Sequence, residues 1–232
     1  MTLKALIFDV DGTLGETEEA HRQAFNATFK ANGMDWQWDI PMYGELLKTT
    51  GGKERMMAYQ AHYRANDRQM EFEEIAFLHK QKTMHYGALI SGGAVTLRKG
   101  IVAMIRDAKA HDIRVAVATT TNRPNVDCLA LACFGQPAED IFDVIAAGDE
   151  VANKKPASDV FDLAVSRLGF DPDQCIGLED SRNGLLSCIG AGVPCLVSPG
   201  VYTKGADFSE AKAVIDCFSE ADSMKKLRAV MG

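Results

Sequence analysis

A short apolar run that ends in two carboxylates constrains this chain more than any other stretch. The residues Ala5–Phe8 are all apolar, which is typical of a strand buried on both faces of a parallel sheet. Asp9 and Asp11 follow directly, and Gly12 lets the backbone turn sharply because it has no Cβ atom. In open α/β sheets, ligands bind beyond the carboxyl ends of the strands. We therefore predict an acidic site at the end of the first strand.

A calcium-binding loop would also place acidic residues close to a glycine. That motif needs glycine at its sixth position and glutamate at its twelfth, and counted from Asp9 these places hold Leu14 and Ala20. The calcium interpretation therefore fails. An ordinary polar turn remains open for this segment taken alone, because Asp and Gly are common in turns.

The composition indicates a globular protein with a substantial core. Of the 232 residues, 47% are hydrophobic, and the net charge of −7 argues against nucleic acid or an anionic membrane surface as a partner. No apolar run is long enough to span a membrane, and Asp9 interrupts the first apolar run too early for a signal peptide. The six cysteines form no metal-binding or CxxC pattern, which favours buried thiols in a reducing compartment. We expect a cytoplasmic monomer.

Apolar runs and helical periodicity alternate along most of the chain. Further strands are predicted over residues 113–118, 142–147, 175–178, 194–197 and 214–215. Residues 17–32, 53–64 and 71–86 have helical patterns, and no strand is predicted between residues 15 and 92. Strands that alternate with helices are typical of a doubly wound parallel sheet. We predict an α/β, Rossmann-like core from residues 1–14 and 93–232, with an inserted all-helical domain over residues 15–92.

Two helix starts are predicted from local signals. Lys154-Lys155-Pro156 is predicted to begin the helix that precedes the fourth strand. Ser219 together with Asp222 is predicted to cap the last helix of the chain.

Polar residues follow four of the predicted strands. In addition to the first pair of aspartates, Thr119 ends the second strand, Lys155 follows the third, and Glu179 and Asp180 end the fourth. Each alone fits an ordinary role, as a strand-end residue, a solvated lysine or a helix cap. Because parallel strands end at the same edge of a sheet, we expect the four sets to meet. Several carboxylates without His or Cys favour a hard cation, namely Mg²⁺.

The same segments resemble the four motifs of the haloacid dehalogenase-superfamily phosphatases. These are DVDGT (9–13), the threonine after the second strand, KKP (154–156) and GLEDS (177–181). Three further segments are similar to the CbbY-like branch, a neighbour of β-phosphoglucomutase: ETEEAHRQAF (16–25), LLKTTGGKERM (46–56) and ATTTNRPNV (118–126). Lys99 and Ser158 stand where that branch usually has proline, and neither belongs to the four motifs.

The resemblance implies a role for each motif residue. Asp9 would attack phosphorus to form an aspartyl-phosphate, while Asp11 would protonate the leaving oxygen and then activate water. Mg²⁺ would bind Asp9, the Asp11 carbonyl and Asp180, with Glu179 orienting metal-bound water. Catalysis would also need Thr119 and Lys155 on the phosphate oxygens. The helical domain would act as a cap, and substrate contacts are expected from Glu16, His21, Lys48, Gly52, Lys53, Arg55, Thr120, Thr121, Asn122 and Lys154.

The resemblance also implies a substrate class. Lys48, Lys53 and Arg55 cluster around a glycine-rich turn, and could hold a second phosphate group. We therefore expect a Mg²⁺-dependent phosphatase for a sugar bisphosphate, such as xylulose 1,5-bisphosphate. Two other enzymes stay open, a β-phosphoglucomutase-like sugar-phosphate mutase and a phosphoglycolate-type phosphatase. A phosphorylated receiver module is the alternative outside enzymes, and the long insertion and the early position of Asp9 argue against it.

Overall fold

The structure, a computed structural model, describes residues 2–232 and divides into two compact units. The first unit contains the chain up to Glu16 together with Thr96–Gly232, and the second is Thr17–Val95. In the described part of the chain, no helix is both long enough and apolar enough to cross a membrane. The catalytic-core and cap roles of the two units, the monomeric state and the cytoplasmic location stay predictions.

The first unit is built on a sheet of six parallel strands. In chain order the strands are β1 Ala5–Phe8, β2 Arg114–Ala118, β3 Val144–Ala146, β4 Cys175–Glu179, β5 Cys195–Val197 and β6 Ala213–Val214. Their order across the sheet is β3-β2-β1-β4-β5-β6, and Phe8 pairs with Val117 on one side and Leu178 on the other. The predicted α/β fold with a doubly wound parallel sheet is confirmed.

The helices divide between the two units in the order of the chain. They are α1 Glu18–Ala31, α2 Ile40–Leu46, α3 Gly52–Tyr63, α4 Phe72–Ser91, α5 Ile101–Ala110, α6 Arg123–Phe134, α7 Ala138–Ile141, α8 Asp159–Leu168, α9 Arg182–Gly190 and α10 Met224–Met231. Short 3₁₀ turns lie at Pro172–Gln174 and Phe218–Glu220. α1 to α4 form the second unit, in which the structure assigns no strand to the described residues.

Both predicted helix starts are wrong. α8 begins at Asp159, after the lysine pair, because a residue that precedes proline is disfavoured in the helical conformation. α10 is capped by Ser223, whose side chain accepts a hydrogen bond from the backbone N–H of Lys226. Ser219 lies instead in a 3₁₀ turn. The short helices α2 and α7 were not predicted, since each has fewer residues than a helical period needs to become visible.

Aromatic side chains fill the interior of the second unit. The ring of Trp38 lies 4.6 Å from that of Phe25 and 4.9 Å from that of Phe29, between centroids. Trp36 and Tyr59 extend this cluster, with their ring centroids 4.9 Å apart. All five side chains are buried, so the second unit has a hydrophobic core of its own.

Candidate active site

The backbone after β1 turns tightly and leaves Asp9 at the edge of the sheet. The N–H of Asp9 still bonds to the carbonyl of Leu178, at 3.0 Å, as a continuation of the ladder. The N–H of Leu14 then bonds back to the carbonyl of Val10, at 2.9 Å, which closes the turn. Gly12 lies inside it with φ at 86°, a conformation that glycine adopts without strain. The sequence signal therefore corresponds to a real turn at the carboxyl end of a central strand.

Lys155 is buried at the centre of this edge. Its ammonium donates to Asp9 Oδ1 at 2.6 Å, to Glu179 Oε1 at 2.6 Å and to the carbonyl oxygen of Ala118 at 2.9 Å. An ammonium has three N–H donors, so each has a partner. The structure thus brings together residues from the ends of β1, β2 and β4, as predicted from the order of the motifs.

Burial has the largest single effect on the pKa values of Asp9, Glu179 and Lys155. It raises the pKa of Asp9 to about 8, against the opposing effect of the Lys155 charge. It also raises the pKa of Glu179, again opposed by Lys155. Burial by itself would lower the pKa of Lys155, but the two carboxylates outweigh burial and raise it. An attacking carboxylate has to be ionised near neutral pH, so the site needs more positive charge than Lys155 supplies.

A candidate cation site fits that need. One carboxylate oxygen each from Asp9, Glu179 and Asp180 lies within 4.8 Å of the others, and all three residues are buried. Lys155 pairs with Asp9 and Glu179, and the buried Asp180 carboxylate lies beside these two, so the carboxylates of this cluster outnumber its ammonium group. Oxygen ligands of this kind suit a hard divalent cation. The predicted cluster of acidic residues is therefore present.

Glycine backbones approach Glu179, the last residue of β4, and Asp180, which follows it. A Cβ atom added at Gly12 would lie 2.3 Å from Asp180 Oδ2, and one at Gly200 would lie 2.7 Å from the same atom. A Cβ at Gly184 would lie 1.8 Å from Glu179 Oε2. No real Cβ atom comes so close to a carboxylate oxygen, so these three positions need glycine for the carboxylates to keep their places.

The loop after β2 holds the remaining predicted hydroxyl. Thr119 is buried, and its Oγ1 accepts a hydrogen bond from the N–H of Thr121 at 3.1 Å. The side chain of Asn122 caps α6 by accepting from the N–H of Asn125 at 3.1 Å. A Cβ at Gly148 would lie 2.1 Å from the carbonyl oxygen of Thr120, so the loop after β3 packs directly on this one.

Three predicted site residues take supporting contacts in the first unit. Lys154 donates to the carbonyl oxygen of Gly148 at 2.9 Å. Glu16 Oε2 accepts from the N–H of Val201 at 3.3 Å. Asp11 is only partly buried and forms a bridge with Gly15. Partial exposure of Asp11 suits a group that would exchange protons with substrate and water.

The substrate residues predicted in the second unit have surroundings that differ from one residue to the next. His21 is buried, its ring stacks on that of Tyr86 at 4.0 Å between centroids, and its Nδ1 lies 2.5 Å from Nζ of Lys82. Because the ammonium can only donate, Nδ1 accepts and the ring proton of neutral His21 belongs on Nε2. Gly52 is the first residue of α3.

The three residues predicted to hold a second phosphate group differ in their exposure and contacts. Lys48 is exposed and paired with Glu45 at 2.5 Å, and Nζ of Lys53 lies 5.2 Å from the centre of the Phe72 ring. Arg55 is buried, and donates to the hydroxyl of Tyr43 at 3.1 Å and to a backbone carbonyl. Removing Lys48 or Lys53 would therefore disturb the local packing less than removing the buried Arg55.

Sequence reasoning missed three side chains that support the site. Arg98 and Ser198 bond to each other and to backbone near the candidate cation site. Thr203 donates from Oγ1 to the carbonyl oxygen of Asp180 at 2.6 Å. These residues belong to no motif, and the carbonyl and hydroxyl groups that accept from the Arg98 guanidinium are 86 to 101 residues away along the chain, so no local pattern could have indicated them.

A parallel sheet with this arrangement of aspartates, lysine and glutamate at one edge defines a class of hydrolase. The family model of the haloacid dehalogenase-like hydrolases matches residues 3–192, and the chain belongs to this family.

The relatives place the chain within the family. It is 54% identical over 211 residues to Protein CbbY of Rhodobacter capsulatus, spanning 91% of this chain and 92% of that protein. The crystal structure of CbbY from Rhodobacter sphaeroides in complex with phosphate has a TM-score of 0.93 and 49% identity, covering 98% of this chain and all (100%) of that one. A mutant of the same protein in complex with xylulose-(1,5)bisphosphate has a TM-score of 0.92 and 49% identity, covering 97% and 99%. The predicted CbbY-like branch and phosphatase class of enzyme are confirmed.

Proposed function

We propose that this chain is a Mg²⁺-dependent phosphatase that hydrolyses a sugar bisphosphate through an aspartyl-phosphate. The observation that carries the proposal is the buried group of Asp9, Glu179 and Asp180, in which Lys155 is bonded to the first two carboxylates. It combines a nucleophile at a strand end with an excess of negative charge that a divalent cation would balance. Asp9, Asp180 and the carbonyl of Asp11 would hold the cation, and Glu179 would orient water beside it. Bound there, Mg²⁺ supplies charge that offsets the phosphate oxygens.

The chain's own residues then divide the work. Asp9 Oδ1 is bonded to Lys155, so Oδ2 is the atom that attacks phosphorus, and the bond from phosphorus to the sugar oxygen breaks. Asp11 gives a proton to that departing oxygen. In the second step Asp11 takes a proton from water, the water oxygen bonds to phosphorus, and Asp9 is released as a carboxylate.

Two further residues position the phosphoryl group. Lys155 and Thr119 lie at the same edge of the sheet as Asp9 and are buried. The Thr119 hydroxyl would donate to one equatorial oxygen, and Lys155 would hold another by giving up one of its three present hydrogen bonds. Charge builds up on these oxygens as the phosphoryl group is transferred. Most of the contribution from these two side chains would be positional and electrostatic.

The relative solved with xylulose-(1,5)bisphosphate supports the substrate class. A bisphosphate needs a second anion site, for which the second unit offers Lys53 in the first turn of α3, within the CbbY-like segment 46–56. The further substrate residues that we propose are His21, Lys48, Gly52 and Arg55 in the second unit, and Glu16, Thr120, Thr121, Asn122 and Lys154 in the first unit. The products of this reaction would be a sugar monophosphate and inorganic phosphate.

A substrate panel tests the proposal. Purified protein with Mg²⁺ is supplied with xylulose 1,5-bisphosphate, β-glucose 1-phosphate or 2-phosphoglycolate, while phosphate release and isomerised product are both measured. We expect phosphate release to be fastest with the bisphosphate, and we expect no isomerised sugar phosphate. The Asp9→Asn variant should release no phosphate. Formation of an isomerised product without phosphate release would assign a mutase instead. A preference for 2-phosphoglycolate would contradict the sugar substrate.

A further inference from the structure

Arg98 is a nearly buried arginine that has no part in the proposed reaction. Its side chain is 10% exposed. One guanidinium nitrogen donates to the carbonyl oxygens of Gly12 and Ser198, both at 2.7 Å. The other donates to Ser198 Oγ at 2.7 Å and to the carbonyl oxygen of Pro199 at 3.3 Å. The Arg98 guanidinium carbon also lies 4.8 Å from the centre of the Phe218 ring. One side chain thus holds the backbone of two separate loops.

Those two loops are the ones that approach Asp180. Gly12 lies in the loop after β1, and Gly200 lies in the loop that follows β5. A Cβ added at either glycine would come within 2.7 Å of the same carboxylate oxygen, Asp180 Oδ2. Both loops therefore contact that carboxylate at a distance that only glycine allows. A small shift of either loop would move the carboxylate or open space beside it.

The chemistry of arginine suits this position. A guanidinium is planar, stays charged and presents its donors in a fixed fork, so that it can hold several carbonyl oxygens at once. The backbone N–H of Arg98 adds a bond to the carbonyl of Leu14 at 2.8 Å, and Glu16 Oε1 lies 3.5 Å from Nε and partly balances the charge. Lysine has a single nitrogen, and glutamine has a shorter side chain, so neither can reach both loops in the same way.

We propose that Arg98 is a positioning residue for the cation site. It fixes the spacing between the loops after β1 and β5, and through their glycines it fixes the Asp180 carboxylate. This inference rests on the proposed function, because it assumes that Asp180 is a ligand of the cation. Groups that orient the ligands of a metal typically change metal affinity or activity by about 10- to 100-fold when they are removed.

The test compares Arg98→Gln and Arg98→Lys with the wild-type protein. Mg²⁺ binding is measured by calorimetry on the full chain without substrate, and kcat and KM are measured with p-nitrophenyl phosphate. We expect Arg98→Gln to weaken Mg²⁺ binding by about 10- to 100-fold. The kcat at saturating Mg²⁺ should also fall, while KM stays unchanged because the Arg98 donors contact protein. Arg98→Lys should recover part of the Mg²⁺ affinity, since it restores the charge and one set of donors.

Arg114→Gln is the matched control. Arg114 is the first residue of β2, at the opposite edge of the sheet, where it pairs with Asp143. Its loss should leave Mg²⁺ affinity and kcat at wild-type values. An Arg98→Gln protein that binds Mg²⁺ normally and turns over normally, with only a lower Tm, would show that Arg98 stabilises the fold and does not position the site.

Three further results complete the test. If the Arg98 variants do not fold, Ser198→Ala removes one acceptor of the guanidinium, and Mg²⁺ affinity unchanged in that variant would overturn the proposal. A wild-type protein that binds no Mg²⁺ or releases no phosphate would overturn the proposed function itself, and the positioning role with it. An active wild type with unaffected Arg98 variants would overturn the positioning role alone.

Discussion

Replacing Lys155 with methionine would leave two buried carboxylates without the ammonium that lies between them. Methionine keeps much of the length and packing of the lysine stem but has no charge and no donor. Asp9 and Glu179 each lie 2.6 Å from Nζ, and the Lys155 side chain is 4% exposed. Water cannot easily take the place of the missing charge in such a closed position. The variant therefore isolates the electrostatic part of the arrangement.

The expected loss of stability is large. Removing one partner of a buried ion pair costs about 3–5 kcal/mol. In a protein of this size, about 1 kcal/mol corresponds to a change in Tm of about 2–4 °C. We therefore expect Lys155→Met to lower the Tm of the metal-free protein by about 6–20 °C near pH 8.

The loss should depend on pH in a definite direction. Burial raises the pKa of Asp9 to about 8 even with Lys155 present, and loss of the ammonium raises the pKa values of Asp9 and Glu179 further. A carboxyl whose pKa is higher in the folded state holds more protons when folded, so the free energy of unfolding falls as pH rises between the unfolded and folded pKa values. The deficit of Lys155→Met is accordingly larger at about pH 8 than at about pH 5, where a larger fraction of both carboxyls is protonated.

Thermal unfolding followed by circular dichroism measures this deficit. Wild type, Lys155→Met and the control Lys154→Met are compared with EDTA at both pH values, and then with Mg²⁺. Lys154 donates one hydrogen bond to a neutral carbonyl, so its loss should cost only about 0.5–1.5 kcal/mol at either pH. Mg²⁺ should restore part of the Lys155→Met deficit. A deficit no larger than that of Lys154→Met, or one that is equal at both pH values, would refute the electrostatic reasoning.

The remaining predictions concern activity. Asp9→Asn should abolish phosphate release while circular dichroism stays native, and substantial release from folded protein would remove Asp9 as the nucleophile. Asp180→Ala should weaken Mg²⁺ binding more than Glu179→Ala, whose effect we expect to be about 10- to 100-fold. Calorimetry that shows the reverse order would exchange their roles. Lys53→Ala should lower kcat/KM on xylulose 1,5-bisphosphate by about ten-fold, which corresponds to one charged hydrogen bond, and leave p-nitrophenyl phosphate hydrolysis unchanged. Equal losses on both substrates would exclude a second phosphate site at Lys53.

The sequence predicted the positions of those site residues that lie at the end of a strand. Asp9, Thr119 and Glu179 each lie at or directly after the last residue of a parallel strand. Parallel strands share one carboxyl edge, so assigning the strands also placed these residues in space. Lys155 follows the same rule less directly, because its long side chain reaches the edge from the loop beyond β3. Fold class and central chemistry could therefore be predicted together.

The supporting contacts could not be predicted in this way. The bonds of Arg98 join segments that are far apart along the chain, and their geometry depends on how two loops pack. The importance of Gly200 depends on a carboxylate that approaches it from β4, which no local pattern indicates. Arg55 is a further example, since charge alone suggests a solvent-exposed anion ligand and the structure buries it against Tyr43. Long-range packing decided each of these cases.

The bridge between Gly15 and Leu97 has a consequence for how this chain can be altered. The polypeptide leaves the sheet-bearing unit next to the place where it returns, and the backbone bond from Arg98 to Leu14 fastens the two segments side by side. Because the two ends of the insertion are already adjacent, its length does not affect the other connections between the strands. The entropic cost of closing a loop also rises only slowly with the length of the loop. The helical segment could therefore be replaced by another segment whose two ends are equally close together. Replacing it with a short glycine-containing turn should leave the six-stranded sheet able to fold, and would provide a scaffold on which segments from other proteins can be exchanged.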